Sequence, residues 1–196
     1  MRIIGITGIT GSGKSMVAQI LTEQGGFAII ADKLAHAAMS KGQPAYNEIV
    51  SKFGELILGE DGEINRAILG KQVFDDKEQL KVLEQIIHPR VIKETQNLIA
   101  QAEHAGPYTF AVIDAPLLIE AGMHTICDSC WLVTSPNSVR IERIMSRDGL
   151  SEEAATKRLA SRAGDSSLMP YADIVINNNG GINDLRQNVI EAIKQI

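Results

Sequence analysis

The string from residue 8 to residue 15, GITGSGKS, constrains the fold of this 196-residue chain more than any other feature. It fits the pattern G-x-x-x-x-G-K-[ST], follows the apolar run at 3–7 and precedes a helical pattern at 16–22. Glycines permit the tight backbone path that turns N–H groups inward around a phosphate, and a following helix N-terminus adds partial positive charge. The string therefore predicts a phosphate-binding loop in an α/β protein.

The glycines, the lysine and the serine of this loop each have a predicted role in binding the phosphates of a nucleotide. Lys14 can reach the β- and γ-phosphates, and the Ser15 hydroxyl is placed to coordinate Mg²⁺. The alternative is a glycine-rich turn that only closes a β–α unit, but such a turn has no use for a lysine followed by a hydroxyl. The predicted ATP-binding residues of the loop and the first helical turn are Gly11, Ser12, Gly13, Lys14, Ser15 and Met16.

Apolar runs that read as strands alternate with helical patterns at both ends of the chain. Short Val/Ile-rich runs followed by helices are typical of parallel strands buried on both faces. The pattern predicts a P-loop NTPase core in which a five-stranded parallel sheet is flanked by helices. The runs lie at residues 3–7, 27–31, 108–113, 130–134 and 172–176.

The segment between the second and third runs is too long to be a simple connection. It shows helical spacing at 44–53, 66–74, 77–87 and 91–104, with an expected break at Pro89. We interpret it as a helical subdomain for a second substrate, at about 41–106. The sequence then predicts a single domain over 1–196, with its core at 1–40 and 107–196 and a short lid at about 147–165.

Composition narrows the class of partner. A formal net charge of −5 argues against a protein that coats nucleic acid or an anionic membrane. The sequence contains no apolar run long enough for a membrane-spanning helix and no signal-peptide pattern, so we expect a cytoplasmic protein. Cys127 and Cys130 suggest a metal or redox pair, but a strand-like run follows them, which favours ordinary thiols.

The reaction is less constrained than the phosphate site. A GTPase would carry an Asn-Lys-x-Asp tetrapeptide, and the sequence has none. A small kinase with an inserted acceptor subdomain fits the length and layout. Two alternatives remain open: a kinase for another small metabolite or nucleotide, and a regulatory module that binds ATP to order its lid and recruit a partner.

Further motifs in chain order give the sequence a family resemblance. Together with the P-loop they resemble the dephospho-coenzyme A kinase family over nearly the whole chain. The string that contains His88, the string at 116–120 and the string at 172–177 are the most specific. The motifs are Ile30-Ala31-Asp32, Phe53-Gly54, Ile64-Asn65-Arg66 with Leu69, Val73-Phe74, His88-Pro89, PLLIE at 116–120, Arg143 with Arg147, and ADIVIN at 172–177 with Gly180.

The resemblance implies a reaction. Members of that family transfer the γ-phosphoryl group of ATP to the ribose 3′-hydroxyl of dephospho-coenzyme A, which is the last step of coenzyme A synthesis. It further implies a P-loop core with a helical acceptor subdomain and a lid, ATP and Mg²⁺ as requirements, and a small molecule rather than nucleic acid or a membrane as the partner.

Two aspartates follow predicted strands. The resemblance makes Asp32 the base that accepts the proton of the attacking hydroxyl; the alternative is an N-cap for a helix starting near Lys33. The family usually has Asp-Ala-Asp here, whereas this chain has Ile30-Ala31-Asp32. Asp114 ends a strand-like run, as a Walker-B carboxylate on Mg²⁺ would, with a turn residue as the alternative. Asp114 is also the second candidate for the base.

Arginines four apart lie on one face of the helix predicted before the lid. Arg143 and Arg147 resemble the lid arginines of the family, and Arg147 is the first candidate for the phosphates. A solvated helix face is the alternative. Arg162 stands where the family commonly has glutamine.

The acceptor site rests on fewer signals. Arg66 and His88 match family positions near the acceptor, although His88 could instead cap a helix break before Pro89. Arg90 and Lys93 are weaker candidates for the acceptor diphosphate. Asn177, with Asn178, could frame the adenine of ATP or form a turn.

Overall fold

The structure of the protein, a computed structural model, describes residues 1–74, 76–160 and 164–196. The described residues divide into two compact units. The first comprises Met1–Ile29 and Ala102–Ile196, and the second comprises Ile30–Gln101. The second unit begins before the expected residue 41 because α2 (Ala31–Ala38) packs against α3 (Pro44–Phe53).

The first unit is built on a sheet with its first strand in the centre. Among the described residues, five strands form one sheet in the order β2-β3-β1-β4-β5. β1 pairs in parallel with β3 and β4, and β4 pairs in parallel with β5. The predicted fold class is confirmed. The strands are β1 (Arg2–Thr7), β2 (Gly26–Ile30), β3 (Phe110–Asp114), β4 (Ser129–Thr134) and β5 (Ile174–Asn177).

Strand alternation explains the core of this unit. Ile4 and Ile6 of β1 are fully buried on one face of the sheet. The same cluster contains Ile20 of α1 (Lys14–Glu23) and Val189 of α9 (Ile182–Ile193). Burying a side chain of this size contributes about 1.5–3 kcal/mol. The central strand and α1 are therefore held firmly on both sides of the loop that joins them.

Two helices of the second unit match the sequence pattern. In the second unit α3 (Pro44–Phe53) and α4 (Arg66–Phe74) have the predicted bounds. In the first unit Gly149 ends α6 with φ 65°. The helices not yet given are α5 (Lys77–Ala105), α6 (Asn137–Asp148), α7 (Glu152–Ala160) and α8 (Asp165–Leu168).

The expected helix break at Pro89 is wrong. α5 runs from Lys77 to Ala105 with Pro89 inside it. Ile86 and Val91 are buried on either side of the proline, so tertiary packing holds both halves in register. The Arg90 side chain donates a hydrogen bond from Nη1 to the carbonyl oxygen of Ile86, in the turn that the proline disturbs.

Within residues 1–74, 76–160 and 164–196, no helix combines the length and the apolar character needed to span a membrane.

Candidate active site

The predicted phosphate loop lies between the central strand and the first turn of α1. Gly13 is the N-cap of α1, with φ 96° and ψ 25°, and Gly11 has φ 82°. These left-handed conformations are strained for any residue with a Cβ. Gly13 also has no side chain with which to cap the helix, so the first N–H groups of α1 are available to an anion.

Space as well as conformation requires glycine at these positions. A Cβ on Gly13 would lie 2.1 Å from Nδ2 of Asn178. A Cβ on Gly11 would lie 2.8 Å from the carbonyl oxygen of Arg140. The loop is therefore packed tightly against the segments that follow β4 and β5.

Lys14 is directed back over the loop. Its Nζ donates a hydrogen bond of 2.6 Å to the carbonyl oxygen of Gly8, the first residue of the loop. A lysine that spans its own loop in this way places an ammonium group over the loop N–H groups, where the phosphates of a nucleotide bind. Ser15 and Met16 follow in the first turn of α1.

Arg143 holds the loop from the side of α6. Its Nη1 donates to the carbonyl oxygens of Gly11, at 3.2 Å, and Ser12, at 3.3 Å. The same Nη1 donates to Oγ of Ser135, at 3.3 Å. The guanidinium therefore fixes loop carbonyls from outside and so helps to orient the loop N–H groups inward. Sequence reasoning assigned Arg143 to the phosphates, and these loop contacts were not expected.

Asn178 completes this network, a contact with the loop that sequence reasoning did not assign to it. Its Nδ2 donates to the carbonyl oxygen of Ser12 at 2.8 Å, and its Oδ1 accepts from Nη2 of Arg143 at 3.2 Å. Asn178 is 5% exposed. Asn177, the predicted residue, is instead the last residue of β5, and its Oδ1 accepts a hydrogen bond from the Thr134 hydroxyl. Because β5 ends at Asn177, it is the next residue, Asn178, that contacts the loop.

We expect Asn178→Ala to weaken ATP binding. The variant loses both side-chain hydrogen bonds and leaves the Ser12 carbonyl with only its longer bond from Arg143, so KM for ATP should rise about tenfold. Asn179→Ala, an exposed neighbour, is the matched control. Steady-state kinetics at varied ATP measures both; equal KM values in the two variants would show that Asn178 does not shape the loop.

Arg147 has a different environment from Arg143. It donates from Nε and Nη2 to both carboxylate oxygens of Asp148, each at 2.8 Å. Arg158 of α7 lies 3.1 Å from the same carboxylate. The hydrogen bond from Arg147 lowers the pKa of Asp148, and the charges of Arg147 and Arg158 act in the same direction. Asp148 thus binds one arginine from α6 and one from α7 at the start of the predicted lid. Arg162, also considered from the sequence, lies outside the described residues.

The predicted magnesium ligands stand on elements next to each other. Asp114 is the last residue of β3, and in the sheet it is directly beside Ile6 of β1, two residues before the loop begins. Ser15 is in the first turn of α1. Over 1–74, 76–160 and 164–196, no cluster of three or more His, Cys, Asp or Glu side chains could hold a metal alone. A carboxylate and a hydroxyl are nevertheless the hard oxygen donors that Mg²⁺ prefers when substrate phosphates complete its coordination.

The second unit contains Asp32, which is not an N-cap. α2 begins at Ala31 with Ile30 as its N-cap, so Asp32 lies within the first turn and is exposed. A carboxylate at this position still interacts favourably with the helix dipole. The N-cap alternative is therefore wrong, and the exposed carboxylate is open to a substrate.

Arg66 and His88, the predicted acceptor residues, are both in the second unit. Arg66 is the first residue of α4, and its Nη1 lies 2.6 Å from Nε2 of His36 in α2. His88 is half-buried within α5. Because α5 continues through Pro89, His88 does not cap a helix break, and that alternative is wrong.

A cavity of about 670 Å³ lies in the second unit between α2, α3 and α5. It is lined by Leu34, Ala37 and Ala38, which lie on the face of α2 opposite to Asp32 and His36. Arg90 and Lys93 also line it, and Arg90 is paired with Glu48. Arg90 and Lys93 therefore belong to a different surface from Asp32.

Cys127 and Cys130 are free thiols. A hydrogen bond with Cys130, followed by burial, raises the pKa of the Cys127 thiol. A thiol held in its protonated form is a poor nucleophile and a poor metal ligand.

Comparison with known proteins decides which P-loop family this geometry represents. The family model for dephospho-CoA kinase matches residues 2–184. The chain belongs to the dephospho-CoA kinase family. The prediction made from the motifs is thereby confirmed.

Relatives from several bacteria resemble the chain over almost its full length. A dephospho-CoA kinase of Carboxydothermus hydrogenoformans is 41% identical over 194 residues, covering 98% of this chain and 93% of that protein. One from Corynebacterium efficiens is 40% identical over 193 residues, covering 98% of this chain and 96% of that protein. Dephospho-CoA kinases therefore align with both units, not with the P-loop core alone.

Solved structures agree with this assignment. A Thermus thermophilus protein matches with a TM-score of 0.84 and 32% identity, covering 99% of this chain and 96% of that one. The dephospho-CoA kinase of Campylobacter jejuni matches with a TM-score of 0.69 and 29% identity, covering 100% and 97%. A shikimate kinase of Acinetobacter baumannii shares the fold alone, at 16% identity and a TM-score of 0.57.

Proposed function

We propose that this protein transfers the γ-phosphoryl group of ATP to the ribose 3′-hydroxyl of dephospho-CoA, giving coenzyme A and ADP. The observation that carries the proposal is the P-loop of a dephospho-CoA kinase family member, with its glycine geometry, Lys14 and the contacts from Arg143 and Asn178. ATP is the phosphoryl donor of the cytoplasm, and we propose that the enzyme acts there.

The loop binds the donor. N–H groups of Gly11 to Met16 surround the β-phosphate, while Lys14 reaches the β- and γ-phosphates and neutralises charge that builds up on the bridging oxygen. Asn177, at the end of β5, is our candidate for the adenine side of the nucleotide. The tight packing around Gly13 supports the proposed role of the loop in binding ATP, because a preformed loop loses little entropy when ATP binds.

Magnesium belongs to this proposal through its two candidate ligands, Ser15 and Asp114. Mg²⁺ held by these two residues would neutralise negative charge that develops on the phosphates during transfer. Asp114 supplies a carboxylate at the end of β3, and Ser15 supplies a hydroxyl at the start of α1. Both are hard oxygen donors, which supports Mg²⁺ over a softer metal.

Asp32 acts on the acceptor. Its carboxylate accepts the proton of the 3′-hydroxyl as that oxygen forms a bond to the γ-phosphorus and the bond to the β–γ bridging oxygen breaks. Its exposure in the first turn of α2 supports this role, because the carboxylate is open to a substrate hydroxyl. Arg66 and His88 are the proposed acceptor-binding residues.

Arg147 and Arg143 have different proposed roles. Arg147 is the proposed phosphate ligand, because its guanidinium is exposed and an ATP phosphate can compete with Asp148 for it. Arg143 is bonded to loop carbonyls and acts on ATP through the loop. The lid over about 147–165 would then close on the nucleotide once Arg147 exchanges partners.

An acceptor panel tests the proposed reaction. With ATP and Mg²⁺ held constant, we expect ADP formation to depend on dephospho-CoA, whereas shikimate and adenosine should give little. Phosphorus NMR of the product should show a new 3′-phosphomonoester. ADP formation that follows shikimate instead would identify a different kinase, and tight ATP binding without turnover on any acceptor would identify a regulatory module.

A further inference from the structure

The second unit contains a contact that neither the motifs nor the family assignment accounts for. His36 of α2 and Arg66 at the start of α4 are both exposed, and Nε2 of His36 lies 2.6 Å from Nη1 of Arg66. A guanidinium has N–H donors and no acceptor. Nε2 must therefore be the acceptor, and the ring carries its proton on Nδ1.

The backbone of Arg66 is fixed independently of this contact. Asn65 caps α4: its Oδ1 accepts hydrogen bonds from the N–H groups of Ala67, at 3.1 Å, and Ile68, at 3.2 Å. The Asn65 N–H in turn donates to the carbonyl oxygen of Ile57 at 2.8 Å. The long Arg66 side chain is thus anchored at its base by the helix cap and at its tip by His36.

His36 lies one helical turn after Asp32. Residues four apart on a helix share a face, with their Cβ atoms about 5–6 Å apart. That spacing is close to the span of a ribose from its 3′-oxygen to its 5′-phosphate. A ribose with its 3′-hydroxyl at Asp32 would then direct its 5′-diphosphate toward His36 and the guanidinium held there.

We propose that His36 is a positioning residue, which holds the guanidinium of Arg66 on the Asp32 face of α2 for bidentate binding of the acceptor 5′-diphosphate. This inference rests on the proposed function of Asp32 and Arg66. The contact with His36 uses one donor of the Arg66 guanidinium and leaves the others for phosphate oxygens. Because the side chain is ordered before the acceptor arrives, binding loses less rotamer entropy.

Kinetics of four proteins test the positioning role: wild type, His36→Leu, Arg66→Gln and the double variant. We expect His36→Leu to raise KM for dephospho-CoA about tenfold. KM for ATP should stay unchanged, and kcat should change by less than about threefold, because the reacting atoms are untouched. In the Arg66→Gln background, His36→Leu should add less than about a twofold effect.

A conservative variant separates positioning from a merely structural role. The Gln side-chain oxygen in His36→Gln can accept from Arg66, so KM should return to within about threefold of wild type. His104→Leu, which removes another exposed histidine, is the matched control and should leave KM unchanged.

Three outcomes overturn the inference. An unchanged KM in His36→Leu, an equally large effect in the Arg66→Gln background, or a failure of His36→Gln to recover would each show that His36 does not act through Arg66. These results would leave the phosphorylation of dephospho-CoA intact. A wild-type protein that fails to phosphorylate dephospho-CoA would instead overturn the proposed function and this inference with it.

Discussion

Replacing Asp32 by Asn is expected to lower kcat for dephospho-CoA phosphorylation by about 10²–10⁴-fold, the range for removal of a general base. The amide keeps the size of the side chain but accepts no proton from the attacking hydroxyl. Binding should survive, because neither the P-loop nor Arg66 is altered. Steady-state kinetics combined with calorimetric titration of ATP and of dephospho-CoA would separate the loss of turnover from a loss of affinity.

The position of Asp32 calls for a control for helix stability. Its carboxylate lies in the first turn of α2, where the interaction with the helix dipole contributes about 0.3–1 kcal/mol. Glu78 lies in the first turn of α5 and is also exposed. Glu78→Gln therefore removes the same kind of dipole interaction without removing a base, and it should lower Tm slightly while kcat stays at the wild-type value.

A normal kcat in Asp32→Asn would show that another residue is the general base. Asp114 is the second candidate, and Asp114→Asn would then be the variant that loses turnover. If Asp114 binds Mg²⁺ as proposed, its substitution should instead raise the Mg²⁺ concentration needed for half-maximal activity. The dependence on Mg²⁺ thus distinguishes the two roles of this carboxylate.

Local sequence signals predicted the elements that depend on local chemistry. The P-loop string predicted a strand, a turn and a helix, and β1 and α1 lie on either side of it. Apolar spacing predicted α3 and α4 to the residue. Gly149 ends α6 because a left-handed residue there satisfies the last turn.

Pro89 shows where local signals fail. A proline removes one hydrogen bond and disturbs one turn, which locally favours a break. Buried residues on both sides, Ile86 and Val91, outweigh that cost in the folded unit. Packing against other elements is not visible in the spacing of a single sequence, so the two predicted helices became one.

Hydrogen bonds between side chains and partners far apart in the sequence could not be predicted for the same reason. Arg143 and Arg147 share a helix face, yet Arg143 bonds to carbonyls more than a hundred residues earlier and Arg147 bonds to its neighbour Asp148. Asn177 is the last residue of β5, whereas Asn178 follows the strand and contacts the loop, and the sequence does not show where the strand ends. The contact between His36 and Arg66 joins two helices and leaves no trace in the spacing of either.

Replacing Lys14 by Met should have the second large effect, a loss of about 10²–10³-fold in kcat, as when one preorganised charge is removed from a transition state. Charge moves onto the β–γ bridging oxygen as the bond breaks, so the ammonium group contributes more in the transition state than in the ground state. We therefore expect a smaller rise in KM for ATP than fall in kcat. Lys194→Met, at an exposed position after α9, is the matched control and should behave as wild type.

The second role of Lys14 makes stability part of this test. Its hydrogen bond to the Gly8 carbonyl closes the loop, and bonds from charged donors contribute about 1.5–3 kcal/mol. Lys14→Met should therefore lower Tm without ATP and reduce the rise in Tm that ATP causes. A variant with lower Tm but normal kcat would show that Lys14 only closes the loop. A normal Tm with the expected fall in kcat would show that the ammonium acts on the phosphates alone.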